Sequence, residues 1–101
     1  MTQKDRFFRL VQEEPAFFKE HGISELGLFG SVVRGEDQRD SDFDVLVKFE
    51  DGKKSFRNFI AVSDFLEERL GRPVDMVTRE GLSPYIGPSI LEQTEYVPIA
   101  S

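Results

Sequence analysis

The spacing of apolar residues switches between helical and alternating along this chain, and each switch marks an element. Phe7, Phe8, Leu10 and Val11 sit amid charge between Thr2 and Glu13, the pattern of a short amphipathic helix with Thr2 as its cap. Pro15 interrupts that helix and suits the first position of another, Pro15 to Glu20, ended by Gly22 after His21. From Glu25 to Phe29, Leu26 and Leu28 alternate with Glu25, Gly27 and Phe29, which predicts a strand. A strand over Asp42 to Phe49 sends Phe43, Val45, Val47 and Phe49 to one face and Asp42 and Asp44 to the other. Helical spacing returns in Ser55 to Leu70, with a stripe of Phe56, Phe59, Ile60, Ser63, Leu66 and Leu70 widened by Val62 and Phe65. Ser55 caps this helix, and Gly71-Arg72-Pro73 stops it. Val74 to Val77 reads as a third strand, Ile90 to Gln93 as a short helix, and Tyr96 to Ile99 as a tail.

Phe7, Phe8, Phe17 and Phe18 carry more apolar surface than such short helices bury on themselves, so they are expected in the core. A chain of 101 residues, 39% hydrophobic, supports one small domain, residues 1–101, around a single core. That leaves no room for a separate substrate domain. The absence of cysteine removes disulfides, thiolate metal sites and cysteine nucleophiles from consideration. A net charge of -6 argues against direct nucleic-acid binding, which needs a cationic footprint. No apolar run reaches the roughly 18 residues of a membrane span, and no signal-like core follows the N-terminus. The expectation is a soluble protein of the cytoplasm.

Candidate chemistry is concentrated between Gly30 and Asp44. Gly30 allows close approach of backbone to a phosphate, and Ser31 offers a hydroxyl where a short helix can begin. Asp42 and Asp44, on one face of a strand, are two hard carboxylate ligands of the kind Mg²⁺ uses when it shares substrate phosphates. A second metal ion about 4 Å away completes a two-metal phosphoryl-transfer site. Asp75 is the one charge within Val74 to Val77, and it joins the other carboxylates if that strand pairs beside Asp42 to Phe49. Three such groups repel strongly without metal.

Gly30-Ser31, ten intervening residues, Asp42-Phe43-Asp44 and the later Asp75 resemble the nucleotidyltransferase superfamily that includes DNA polymerase beta. The segments Phe29 to Gly35 and Ser41 to Asp44, with the small size, resemble in particular the minimal nucleotidyltransferase antitoxins paired with HEPN ribonuclease toxins. The resemblance spans about Glu25 to Val77. It implies an α/β fold of the α+β type, a small mixed sheet flanked by helices. It also implies two Mg²⁺ ions, ATP as donor, and AMP transfer to a tyrosine hydroxyl of a cognate HEPN toxin, in a hetero-oligomer. Carried over by position, Asp42 and Asp44 hold the metals, while Asp75 ligates one of them and helps deprotonate the acceptor. Gly30 and Ser31 hold the outer phosphates.

Several positions have a plainer reading. Arg34 suits a phosphate contact or a salt bridge to an acidic neighbour. Ser31 also suits a helix cap. His21 fits a helix C-terminus better than a catalytic role, and Tyr85 and Tyr96 fit packing or an interface. The alternatives to an adenylylating antitoxin are a binding module that neutralises its partner by occlusion and a small-molecule nucleotidyltransferase. The latter needs a second wall for its acceptor that a single small core does not supply.

Overall fold

Caps, prolines and glycines divide the chain. The computed structural model describes residues 1–99. It runs α1 (Gln3–Glu13), α2 (Pro15–Glu20), β1 (Ile23–Phe29), α3 (Ser31–Arg34), β2 (Phe43–Phe49), α4 (Phe56–Leu70), β3 (Val74–Thr78), a 3-10 turn (Arg79–Gly81), α5 (Gly87–Gln93) and β4 (Glu95–Val97). At the start of α1 the Thr2 hydroxyl accepts from the Asp5 N–H at 3.1 Å, and the Asp5 carboxylate accepts from the Thr2 N–H at 3.2 Å. The Thr2 N–H, and after it the Thr2 hydroxyl, hold the Asp5 carboxyl below its ordinary value. Ser55 caps α4 through the Asn58 N–H at 3.1 Å, and Gly71 ends it in the left-handed region at φ 72°.

The four strands form one sheet in the order β3-β2-β1-β4. β2 and β3 are parallel, and the other pairs are antiparallel. This is the mixed sheet flanked by helices that the resemblance implies. α4 supplies the crossover that a parallel pair requires.

One face of the sheet is closed by helices. Phe7, Leu10 and Val11 of α1, Phe18 of α2 and Val62, Leu66 and Leu70 of α4 pack there against Leu26, Leu28, Phe43, Val45 and Val47. Phe17 stacks on Phe65 with ring centroids 3.9 Å apart, so the N-terminal aromatics join the core as expected. On the opposite face Leu46 is only 2% exposed, and the Arg79–Gly81 turn packs against β2. The segment after β3 must travel from one edge of the sheet to the other, because β4 pairs beyond β1.

Several expectations shift, among them the start of α5, at Gly87 and not Ile90. β1 begins at Ile23, two residues earlier than alternation suggests, because a bulge lies between Ile23 and Glu25. The Ser24 hydroxyl bonds the Lys48 carbonyl at 3.1 Å there, and the extra residue lets Ile23 and Leu26 both face the core. β2 begins at Phe43, leaving Asp42 immediately before it. The tail at Tyr96 and Val97 is part of β4. Finally, α4 is rotated so that Val62, Leu66 and Leu70 are buried while Phe56 is 81% exposed. Among the described residues, no helix is long and apolar enough to cross a membrane.

Candidate active site

β1 ends and β2 begins at the same end of the sheet. Phe29 pairs with Asp44, and Asp44 pairs with Asp75 across the parallel strands. Residues directly opposite on neighbouring strands point to one face, so Asp44 and Asp75 project together, away from the helical core.

Gly30 follows Phe29 with φ 78° and ψ -155°. A Cβ at this position would overlap Asp44 Oδ2 and stand 2.9 Å from its Cγ. Only glycine allows both the turn and the carboxylate, so Gly30 and Asp44 are fitted to one another. Gly30 is the N-cap of α3 and Ser31 its first helical residue, which removes the capping role for Ser31. Val32 is buried and anchors the short helix, and Gly35, at φ 73°, closes it.

The carboxyl of Asp44 is half-buried, and its pKa is raised above its ordinary value. Burial is the largest cause, the negative charges of Asp75 and Asp42 add to it, and Arg34 works the other way. The three acids therefore sense one another. Asp42 and Asp75 are both exposed. Among the described residues, no group of three or more acidic or imidazole side chains closes tightly enough to be a preformed metal cage.

Arg34 makes the salt bridge foreseen for it, Nε to Glu36 Oε1 at 2.8 Å. It also donates through Nη1 to Gln93 Oε1 at 2.9 Å, and the Gly30 N–H donates to the same oxygen at 3.3 Å. His21 lies at the end of α2, its Nδ1 2.8 Å from the Phe17 carbonyl, consistent with the helix-terminal reading. Tyr85 is 92% exposed, whereas Tyr96 lies across the bare backbone of Gly27.

Two contributors escape the pattern of the sequence. Arg72, which stands in what reads as a helix stop, donates to Asp37 at 3.0 Å, and its guanidinium lies 5.9 Å from the Phe43 ring centroid. With only 14% of its side chain exposed, it pins the connection that delivers Asp42. Gln93 is the second. An arginine next to a glycine and proline is a weak signal for the first, and nothing in the sequence marks the second.

Known proteins resemble this chain in sequence and in fold. The chain is similar to protein adenylyltransferase MntA of Thermococcus cleftensis, 43% identical over 76 residues, or 75% of this chain and 76% of that protein. A solved structure assigned as a minimal nucleotidyltransferase superposes with a TM-score of 0.76 at 33% identity, over 94% of this chain and 95% of that one. The complex of a tri-AMPylated Shewanella oneidensis HEPN toxin with an MNT antitoxin shares the fold, with a TM-score of 0.60 at 17% identity over 88% of this chain and 70% of that one. The family model for the nucleotidyltransferase domain matches residues 13–97, which include every candidate site residue, and the chain belongs to that family.

Proposed function

We propose that this chain is a magnesium-dependent protein adenylyltransferase that moves AMP from ATP to a hydroxyl, a tyrosine's by preference, of a HEPN-type toxin and so neutralises it. The observation that carries the reading is the fit of Gly30 against Asp44 at the ends of paired strands. It sets a backbone suited to phosphate beside a carboxylate suited to a hard cation. The activity named for the Thermococcus relative and the AMPylated toxin held by the Shewanella antitoxin support the same chemistry.

Asp42, Asp44 and Asp75 offer only carboxylate oxygens, the donor type that Mg²⁺ prefers. The like-charge repulsion that helps raise the Asp44 pKa is what a dication would relieve. When bound at these residues, Mg²⁺ supplies charge neutralisation for the phosphates. The chain's own groups do the rest. The Gly30 backbone and Ser31 hydroxyl hold the outer phosphates, and Arg34 adds positive charge to the same loop. Asp75, at the exposed edge, takes the acceptor proton. As the acceptor oxygen bonds to the α-phosphorus, the phosphoanhydride bond on the opposite side breaks and pyrophosphate leaves in line. Position and electrostatics are the catalytic contribution. The open end of a single small sheet leaves a protein acceptor to supply the second wall, which makes a hetero-oligomer with the toxin the working unit. The reading sets the pair in the cytoplasm, and a chain without cysteine is compatible with that reducing compartment.

Intact mass of a partner co-expressed with this chain, or incubated with it, ATP and Mg²⁺, tests the proposal. Mass gains in multiples of AMP that vanish with EDTA are expected. A stable complex without any gain would replace transfer by occlusion, and neither gain nor complex would direct attention to a small-molecule acceptor.

A further inference from the structure

Gln93 is the last residue of α5, and its side chain reaches two groups of the Gly30–Arg34 loop at once. Its Oε1 accepts from the Gly30 N–H at 3.3 Å and from Arg34 Nη1 at 2.9 Å. The amide nitrogen turns back to the Ser89 carbonyl of its own helix at 3.4 Å, so the hold on the loop is through the oxygen alone. A backbone N–H beside a close-approach glycine and a guanidinium are the pair of donors that a phosphate oxygen selects. An amide oxygen is a neutral acceptor and a weaker one than an oxyanion for the same donors.

The fold, and not the loop, brings Gln93 to this point. β4 follows at once and pairs with β1, Glu95 opposite Leu28, which leaves Gln93 level with Gly30. Gly27 makes the approach feasible, because a Cβ there would overlap the Thr94 methyl group. The Thr94 hydroxyl bonds the Ile90 carbonyl at 2.6 Å and fixes the end of the helix. Arg34 keeps its second partner, Glu36, at 2.8 Å, so its guanidinium stays in the loop when Gln93 is displaced.

We propose that Gln93 is a positioning residue that sets nucleotide affinity, its side-chain oxygen standing in for a phosphate oxygen and yielding that place when nucleotide binds. The proposal rests on the reading of the Gly30 loop as the phosphate site. Competition from a neutral internal ligand is mild. Competition from a charged one is severe, because it makes stronger bonds to both donors and repels the triphosphate.

The test is binding of AMP-PNP with Mg²⁺ to the full chain by calorimetry, together with initial rates of transfer and thermal melts. Gln93→Glu weakens nucleotide binding by about tenfold or more, with the loss in KM rather than kcat. Gln93→Ala removes the competitor and tightens binding by about threefold. A residue that only braced α5 against the loop would weaken binding in both variants, and that result would overturn the proposal. So would wild-type affinity in a folded Gln93→Glu protein. Ser31→Ala is run alongside. If wild type binds nucleotide and Ser31→Ala weakens it while Gln93→Glu does not, the Gln93 proposal alone falls. If wild type binds none, the phosphate-loop reading falls with it.

Discussion

The two faces of β2 are made from alternate residues of the same seven, one wholly apolar and the other carrying charge on either side of the buried Leu46. Phe43, Val45 and Val47 are fully buried under α1 and α4, whereas Asp44 on the other face is half-buried and Lys48 is exposed. The difference teaches that the core and the chemistry can be perturbed separately along one strand. On the proposed reading, in which Asp42 and Asp44 hold the cation that neutralises the phosphates, changing both to Ala should lower AMP transfer by about 10³ or more. The far-ultraviolet spectrum should be unchanged and the metal-free melting temperature equal or higher.

Phe43→Ala is the mirror experiment. It empties a fully buried site stacked on Phe7, and denaturant titration should show a loss of about 3–5 kcal/mol. Gly30→Ala breaks the separation, since the position combines a left-handed turn of the backbone with the contact to Asp44. Its φ of 78° and its overlap with Asp44 predict a destabilisation of about 1–3 kcal/mol together with a loss of transfer, read from a melt and a rate on the same sample. A variant that kept full activity would show that Asp44 can move without consequence.

Asp44→Asn sharpens the comparison by the smallest effect on stability. The folded pKa of Asp44 is raised from the ordinary 3.8, so ionising it is harder in the folded chain than in the unfolded one. Its contribution to metal-free stability is fully present below 3.8 and is lost as pH rises through the raised folded value. Melts of the metal-free protein should therefore show wild type losing stability relative to Asp44→Asn across that acidic window, with Asp44→Asn the more stable at neutral pH. The opposite sign would mean that an unrecognised cationic partner stabilises the carboxylate.

The meeting of Gly30, Asp44 and Asp75 at one end of the sheet was legible because the alternation of apolar residues sets which side chains of each strand share a face. The helices were legible for a similar reason, as Thr2, Ser55 and Gly71 mark their ends. The remaining features depend on contacts between distant segments. Ser24 breaks the alternation of β1, so Ile23 looks out of phase until its pairing with Phe49 is seen. Spacing alone does not tell which of two overlapping stripes of α4 meets the sheet, and Phe56 lies off the one that does. β4 has only three residues, and its partner is chosen by the whole topology. Gln93 acquires meaning only after that pairing.

Gly71-Arg72-Pro73 is all that separates α4 from β3, and the Pro73 carbonyl bonds the Phe43 N–H at 3.0 Å. That turn sets the phase between two strands. A strand exchanges faces with every single-residue slip. One residue added to or removed from the turn would thus exchange Asp75 with a buried neighbour, Val74 or Met76, and put a carboxylate into the core in their place. The alignment of Asp75 with Asp44 is in this sense a matter of counting, and a three-residue connection leaves the chain little freedom to miscount.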